Sequence, residues 1–211
     1  MDQSYWLDRW TNKQIGFDQL EPNPLLQTHF DKLNLDQRST VFVPLTGKNI
    51  DVAWLLDQGY RVVGCELSEL AVRELFDLLD LKPTITDWKY GKVFSNDAIT
   101  IFVGDFFELS TEDIGQIDGI YDRASMVALP DDMRKDYAQH LLSITKRAPQ
   151  LLIVFDYEQE LVPGPPFSIS EDEIESHYSN VYSITILEKR NMTVGIKGTA
   201  PATENAWLLT L

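Results

Sequence analysis

Residues 41–72, VFVPLTGKNIDVAWLLDQGYRVVGCELSELAV, confine the chain to an α/β architecture. Val41, Phe42 and Val43 form a short apolar run of the kind that makes a fully buried strand. Pro44 to Asn49 punctuates it, and Ile50 to Gln58 carries a helical apolar repeat closed by Gly59. Arg61 to Glu66 is the next strand. A strand–helix–strand unit crosses over right-handed, so its two strands are parallel and end on the same edge of the sheet. The Leu45–Gly47 turn and the Glu66 carboxylate therefore converge on one crevice, the place where open α/β sheets take their ligands.

The rest of the chain keeps the same alternation. Residues 3–34 read as two helices around a loop, with Trp6 and Trp10 one turn apart and Leu25, Leu26, His29, Phe30 and Leu33 on one face. Ser68 caps a helix running through residue 80. The clusters Tyr90-Gly91-Lys92 and Ser95-Asn96-Asp97 mark a small hairpin insertion before a strand from Ile99 to Val103. A short helix near Thr111 to Gly115, a strand Gly119 to Asp122, a helix Asp131 to Lys146 and a strand Leu151 to Tyr157 follow. Pro163, Pro165 and Pro166 exclude regular structure from the loop Glu158 to Phe167 and stiffen it as a pocket wall. A helix Glu171 to Tyr178, a strand Val181 to Lys189 and a last strand Ala206 to Leu211 complete the order. This pattern predicts a parallel α/β sheet, and 211 residues suffice for one such domain spanning the whole chain.

The crevice suits a ribose better than a pyrophosphate. A Glu at a strand end accepts hydrogen bonds from two ribose hydroxyls, whereas the turn P-L-T-G-K-N offers one glycine where a phosphate-binding turn needs G-x-G-x-x-G. S-adenosylmethionine, with a ribose and no phosphate, is the common ligand left for this geometry. An ordinary strand–helix–strand unit ending in a solvated Glu66 has the same spacing, and spacing alone leaves both readings open.

Longer words separate them. SYWLDRWTNKQIGFDQLEPNPLL, VPLTGKNIDVAWL, GCELSELAV, GDFFEL, YDRASMVALP and GPPFSIS follow one another over nearly the whole chain. In this order and spacing they resemble the thiopurine S-methyltransferase family in its bacterial form. The resemblance implies a Rossmann-like S-adenosylmethionine-dependent methyltransferase fold: a mostly parallel seven-stranded sheet with one antiparallel strand, and residues 1–36 as an N-terminal helical lid. It implies cofactor contacts at Leu45 and Glu66, and it puts Phe17, in the Ile15-Gly16-Phe17 word, on the acceptor side of the lid. Thr46 stands where many members have Cys, Asn49 where a small residue is usual, and Asp18 where His often follows Gly-Phe. Of these, Asp18 bears on the acceptor mouth.

Methyl transfer from a sulfonium needs orientation, water exclusion and electrostatics rather than a catalytic triad. No residue is singled out as the catalyst. Arg123, ending a strand in Y-D-R-A beside the crevice, has a guanidinium able to hold the cofactor carboxylate or steady an anionic acceptor; a salt bridge to Asp122 or another nearby acid is its competing reading. Trp10 offers an indole face to a sulfonium, although two tryptophans at helical spacing also suit plain core packing. Asp105 follows the third strand, at the adenine end of the crevice, where G-D-F-F equally suits a helix-capping turn.

Charge and cysteine content exclude other classes. With Lys and Arg at 18 against 33 Asp and Glu, the net charge of −15 disfavours nucleic acid and anionic membranes as partners. No apolar run approaches a membrane span, and the acidic start MDQSYWLDRW lacks the features of a secretory signal, so a soluble cytoplasmic monomer acting on a small-molecule thiol is expected. The lone Cys65 allows no internal disulfide and reads as a small core hydrophobe. His29, His140 and His177 lack metal-ligand spacing, so no metal is expected. The activity expected is S-methylation of thiopurine-like aromatic or heterocyclic thiols. Selenium or tellurium detoxification, a nicotinamide-dependent oxidoreductase and a cofactor-binding protein without turnover are the alternatives.

Overall fold

The computed structural model describes residues 3–16 and 19–211. Helices α1 (Gln3–Thr11) and α2 (Pro24–His29) precede β1 (Thr40–Val43), α3 (Asp51–Asp57), β2 (Arg61–Glu66) and α4 (Glu69–Leu78). Strands β3 (Thr84–Trp88), β4 (Gly91–Ser95) and β5 (Ile99–Val103) come next, then α5 (Thr111–Ile114), β6 (Gly119–Arg123) and α6 (Asp131–Ile144). The chain closes with β7 (Gln150–Tyr157), α7 (Glu171–Tyr178), β8 (Ser183–Asn191) and β9 (Ala202–Thr210).

The sheet order is β3-β4-β5-β2-β1-β6-β7-β9-β8. Strands β5, β2, β1, β6 and β7 run parallel, and β9 is antiparallel to both β7 and β8. These account for the expected sheet with β9 as its reversed strand, but the expected count of seven is too low, because the sheet has nine strands. The hairpin does not stand off as an insertion. Strand β4 pairs antiparallel with β5 from Lys92↔Val103 to Ser95↔Thr100, covering an edge whose backbone groups would otherwise lack partners. Phe94 holds it there, fully buried with its ring 6.1 Å from that of Phe76.

Strand alternation splits the core into two layers. Phe42, Cys65, Phe102, Ile120 and Leu152 face α6 and α7 through Leu141, Ile174 and Tyr178. Val41, Val43, Val62, Tyr121 and Ile153 face the opposite layer of Leu26, Val52, Leu55 and Leu75 from α2, α3 and α4. Burying each such large apolar side chain contributes about 1.5–3 kcal/mol, so the alternation fixes the register of every central strand. Cys65 lies in the first layer, where burial pushes its thiol well above the usual range and leaves it a packing residue.

Two further boundaries differ from expectation. Strand β8 starts at Ser183 rather than Val181 because Val181 and Tyr182 still donate to the Tyr178 carbonyl at the end of α7. Strand β9 starts at Ala202, extending its pairing with β7 down to Tyr157↔Ala202. The loop Glu158 to Phe167 holds one 3-10 turn, Gln159–Leu161, placed ahead of the first proline. Among the described residues no helix is long and apolar enough to cross a membrane.

Candidate active site

The turn after β1 and the end of β2 meet as the sequence predicts. Leu45 has φ +43° and Gly47 φ +57°, so the chain doubles back tightly between β1 and α3. Glu66, 6% exposed, spans that turn: its Oε2 accepts from the Gly47 amide at 2.9 Å and its Oε1 from the Ser68 amide at 2.8 Å. Burial raises its carboxyl above the usual range, opposed by the amides of Ser68, Gly47 and Leu67. A carboxylate has about four lone-pair sites, so each oxygen keeps capacity for a further donor such as a ribose hydroxyl. Thr46, the residue in the Cys position, uses its hydroxyl internally, donating to the Val43 carbonyl at 2.8 Å. It fits because Gly64 has no Cβ, which would lie 2.2 Å from that hydroxyl.

Helix α1 lies across this edge of the sheet. Trp10, 4% exposed, covers Gly47 so closely that a Cβ there would sit 3.3 Å from Trp10 Cζ2. One end of the helix reaches the far side of the crevice, where Gln3 Nε2 donates to Asp105 Oδ2 at 2.7 Å. The capping reading of G-D-F-F is also realised, since Asp105 Oδ1 accepts from the Phe107 amide at 3.0 Å. Phe17 and Asp18 lie outside the described residues.

Arg123 ends β6 beside β1, 9% exposed, with its salt bridge to Asp51 (Nη1 to Oδ2, 3.4 Å). The competing reading is thus realised with Asp51 rather than Asp122, which points to the other face of the strand and accepts from Tyr137 Oη at 2.7 Å. The Nε–H of Arg123 and that of Arg9 are buried without a hydrogen-bond partner among the described residues. Both arginines line one cavity, and their guanidinium groups suit an anionic ligand group such as the carboxylate of S-adenosylmethionine. The residues present therefore fit that cofactor.

The cavity, about 550 Å³, is lined by Trp10, Leu45, Glu66, Asp105 and Arg123, so the structure brings every described site residue of the sequence reading together. That volume is within the range of about 300–1,000 Å³ for small-molecule sites. Its lining divides by chain position. Residues up to Phe107 supply one part of the lining, and Met133, Tyr137, Phe155, Pro166, Ile196 and Lys197 belong to a later, mostly apolar part. Arg9, Lys48, Arg123 and Lys197 line it with the carboxylates Glu66 and Asp105, and of these cations Lys48 is paired with Glu74 and Arg123 with Asp51. No histidine is among the described residues that line it.

Sequence reasoning missed the later part's Met133, Tyr137, Ile196 and Lys197. Only Lys197 carried a local signal, standing between Gly195 and Gly198.

The model of the family described as thiopurine S-methyltransferase matches residues 1–208. The chain belongs to the thiopurine S-methyltransferase family. The family enzyme of Gluconobacter oxydans is 44% identical over 96% of this chain and 92% of its own. That of Teredinibacter turnerae is 44% identical over 99% of this chain and 97% of its own. Among solved structures, the fold is shared with the Burkholderia thailandensis 1,6-didemethyltoxoflavin-N1-methyltransferase, bound to its substrate and S-adenosylhomocysteine. Its TM-score is 0.67 at 15% identity, covering 99% of this chain and 87% of that one. A magnesium protoporphyrin IX methyltransferase from Synechocystis, bound to S-adenosylhomocysteine, gives 0.61 at 15% identity, covering 97% of this chain and 99% of that one. The methyltransferase architecture is thus common to family members and to distant enzymes alike.

Proposed function

We propose that the protein methylates the sulfur of aromatic or heterocyclic thiols, thiopurine-like in shape, with S-adenosylmethionine as donor, and that residues 1–211 form one methyltransferase domain whose first 36 residues act as a lid. The observation that carries this is the Glu66 carboxylate, held by the Gly47 and Ser68 amides beneath a cavity that Arg123 also lines. When bound, the cofactor supplies a methyl group already activated on a sulfonium.

The chain's own residues do the rest. Glu66 accepts from the ribose hydroxyls, Arg123 holds the methionine carboxylate, and the Leu45–Gly47 backbone passes close to the methionine portion. Gln3 and Asp105 close the adenine end. Trp10 excludes water and presents an indole face, and Phe17 belongs to the acceptor side of the lid. The apolar wall of Met133, Phe155, Pro166 and Ile196 suits a flat ring. Arg9 and Lys197 on the cavity favour an acceptor sulfur in its thiolate form, which needs no general base. A cytoplasmic monomer without nucleic-acid or membrane partners completes the proposal.

A thiol panel with labelled S-adenosylmethionine tests it. Aromatic thiols are expected to gain the label, with rates rising with pH until each acceptor's own thiol is ionised and unchanged by chelator. Calorimetric binding of NAD but not S-adenosylhomocysteine would refute the proposal. A rate profile shared by acceptors of different acidity would instead require an enzyme base.

A further inference from the structure

We propose that Asp51 is the positioning residue for the Arg123 guanidinium and couples it to the base of the N-terminal segment. Asp51, in the first turn of α3, has no solvent exposure and is not part of the cavity lining. A buried carboxylate persists only where donors and opposite charge compensate it. Here Tyr121 Oη donates to Oδ2 at 2.7 Å, the Asn23 backbone amide to Oδ1 at 2.7 Å, and Arg123 Nη1 to Oδ2 at 3.4 Å. Asn23 caps α2 through the Leu25 amide and donates from Nδ2 to Glu204 Oε1 at 2.7 Å. Glu204 Oε2 in turn accepts from Arg190 Nη2 at 2.5 Å. A continuous polar chain therefore runs from the β8–β9 pair through the foot of the lid segment to the cavity.

The geometry separates positioning from simple charge pairing. A guanidinium engaged only in a structural pair favours a two-pronged contact that uses its parallel N–H groups. Asp51 contacts Arg123 through Nη1 alone, and Arg123 also lines the cavity that Asp51 does not reach. Asp51 thus fixes one end of the guanidinium and leaves its other donors uncommitted to that carboxylate. Because the same carboxylate binds the Asn23 amide, loosening the foot of the lid segment also loosens the anion clamp.

This inference rests on the reading of Arg123 as holder of the cofactor carboxylate, and the test separates the two. Calorimetry on the full chain uses two probes: S-adenosylhomocysteine, which carries the amino-acid carboxylate, and methylthioadenosine, which lacks it. Asp51→Asn keeps the Oδ1 acceptor for the Asn23 amide and sets an NH₂, from which the Tyr121 hydroxyl can accept, where Oδ2 took the Arg123 donor, so it removes the charge that orients the guanidinium. It is expected to weaken S-adenosylhomocysteine binding by about fivefold or more, as for residues in one polar network, while methylthioadenosine changes less than about twofold. Arg123→Gln should show the same selectivity, and the double variant should lose no more than Arg123→Gln alone. If Arg123→Gln fails to discriminate between the probes, the reading of Arg123 falls and the proposal with it. If Arg123→Gln discriminates and Asp51→Asn does not, Asp51 is only a structural partner and the proposal alone is overturned. Should Asp51→Asn not fold, Tyr121→Phe, which removes one donor from the same carboxylate, decides by the same ratio: a smaller selective loss supports the proposal, and equal effects on both probes overturn it.

Discussion

Replacing Glu66 by alanine tests the crevice most directly, and the structure shows that it does two things at once. The carboxylate is an acceptor for the Gly47 and Ser68 amides, so its removal strips two buried N–H groups of their partner. Each orphaned donor costs about 1–3 kcal/mol, and water entering from the adjoining cavity keeps the cost near the lower end, so about 2–4 kcal/mol of stability is lost. For a domain of this size that corresponds to a fall of roughly 4–16 °C in Tm. The ligand loses its bonds to a charged acceptor as well, about 3 kcal/mol for the ribose pair, or roughly 100-fold in Kd. Thermal melts with and without S-adenosylhomocysteine, paired with calorimetry, read both quantities. Glu66→Gln keeps the side-chain volume but sets an NH₂ against one of the two amides, and is expected to fall between parent and alanine variant on both axes. An alanine variant that melts lower yet binds S-adenosylhomocysteine with the parent's Kd would leave Glu66 as a turn brace and remove it from the ligand site.

Burial raises the Asp122 carboxyl to about 6. An unfolded Asp titrates near 3.9, so its contribution to stability is fully present below about pH 4 and lost as pH rises through about 6, a change of roughly 2–3 kcal/mol. Asp122→Asn should remove that component from a denaturant-derived stability profile, and an unchanged slope between those pH values would contradict it. Gly47→Ala adds a Cβ at φ +57° and 3.3 Å from Trp10, so a cost of about 1–2 kcal/mol and a shifted tryptophan emission are expected. Unchanged emission would mean that Trp10 does not rest on the turn. Trp10→Ala should lower both cofactor affinity and turnover, and proteolysis between Asp8 and Leu20 should slow when S-adenosylhomocysteine is added. Protection that ignores the ligand would mark the segment as a fixed helix.

The crevice was legible because its information is local. Apolar period, a glycine-bearing turn and an acid at a strand end place Leu45 and Glu66 with no knowledge of distant residues, and the same periodicity marks α7 at Glu171–Tyr178. What stayed hidden depends on contacts far apart in sequence. Asp51 reads in sequence as an ordinary acid at a helix start, and only the approach of Asn23, Tyr121 and Arg123 makes it a hub. The hairpin was visible, but its capture by β5 depends on an edge that no single segment reveals. Tyr137 and Met133 lie on a helix whose apolar face serves core and cavity alike, so periodicity cannot tell the two uses apart.

The division of the cavity wall by chain position bears on how such enzymes diversify. The turn, Glu66 and Asp105 come from the stretch up to Phe107, whereas Met133, Phe155, Ile196 and Lys197 come from later elements. Exchanging those four side chains alters the shape and charge offered to an acceptor and touches neither of the amides that hold Glu66. Acceptor choice can therefore drift between relatives through those later side chains while the donor is kept, provided that Arg123, which comes from the same later stretch, and its bond to Asp51 stay in place.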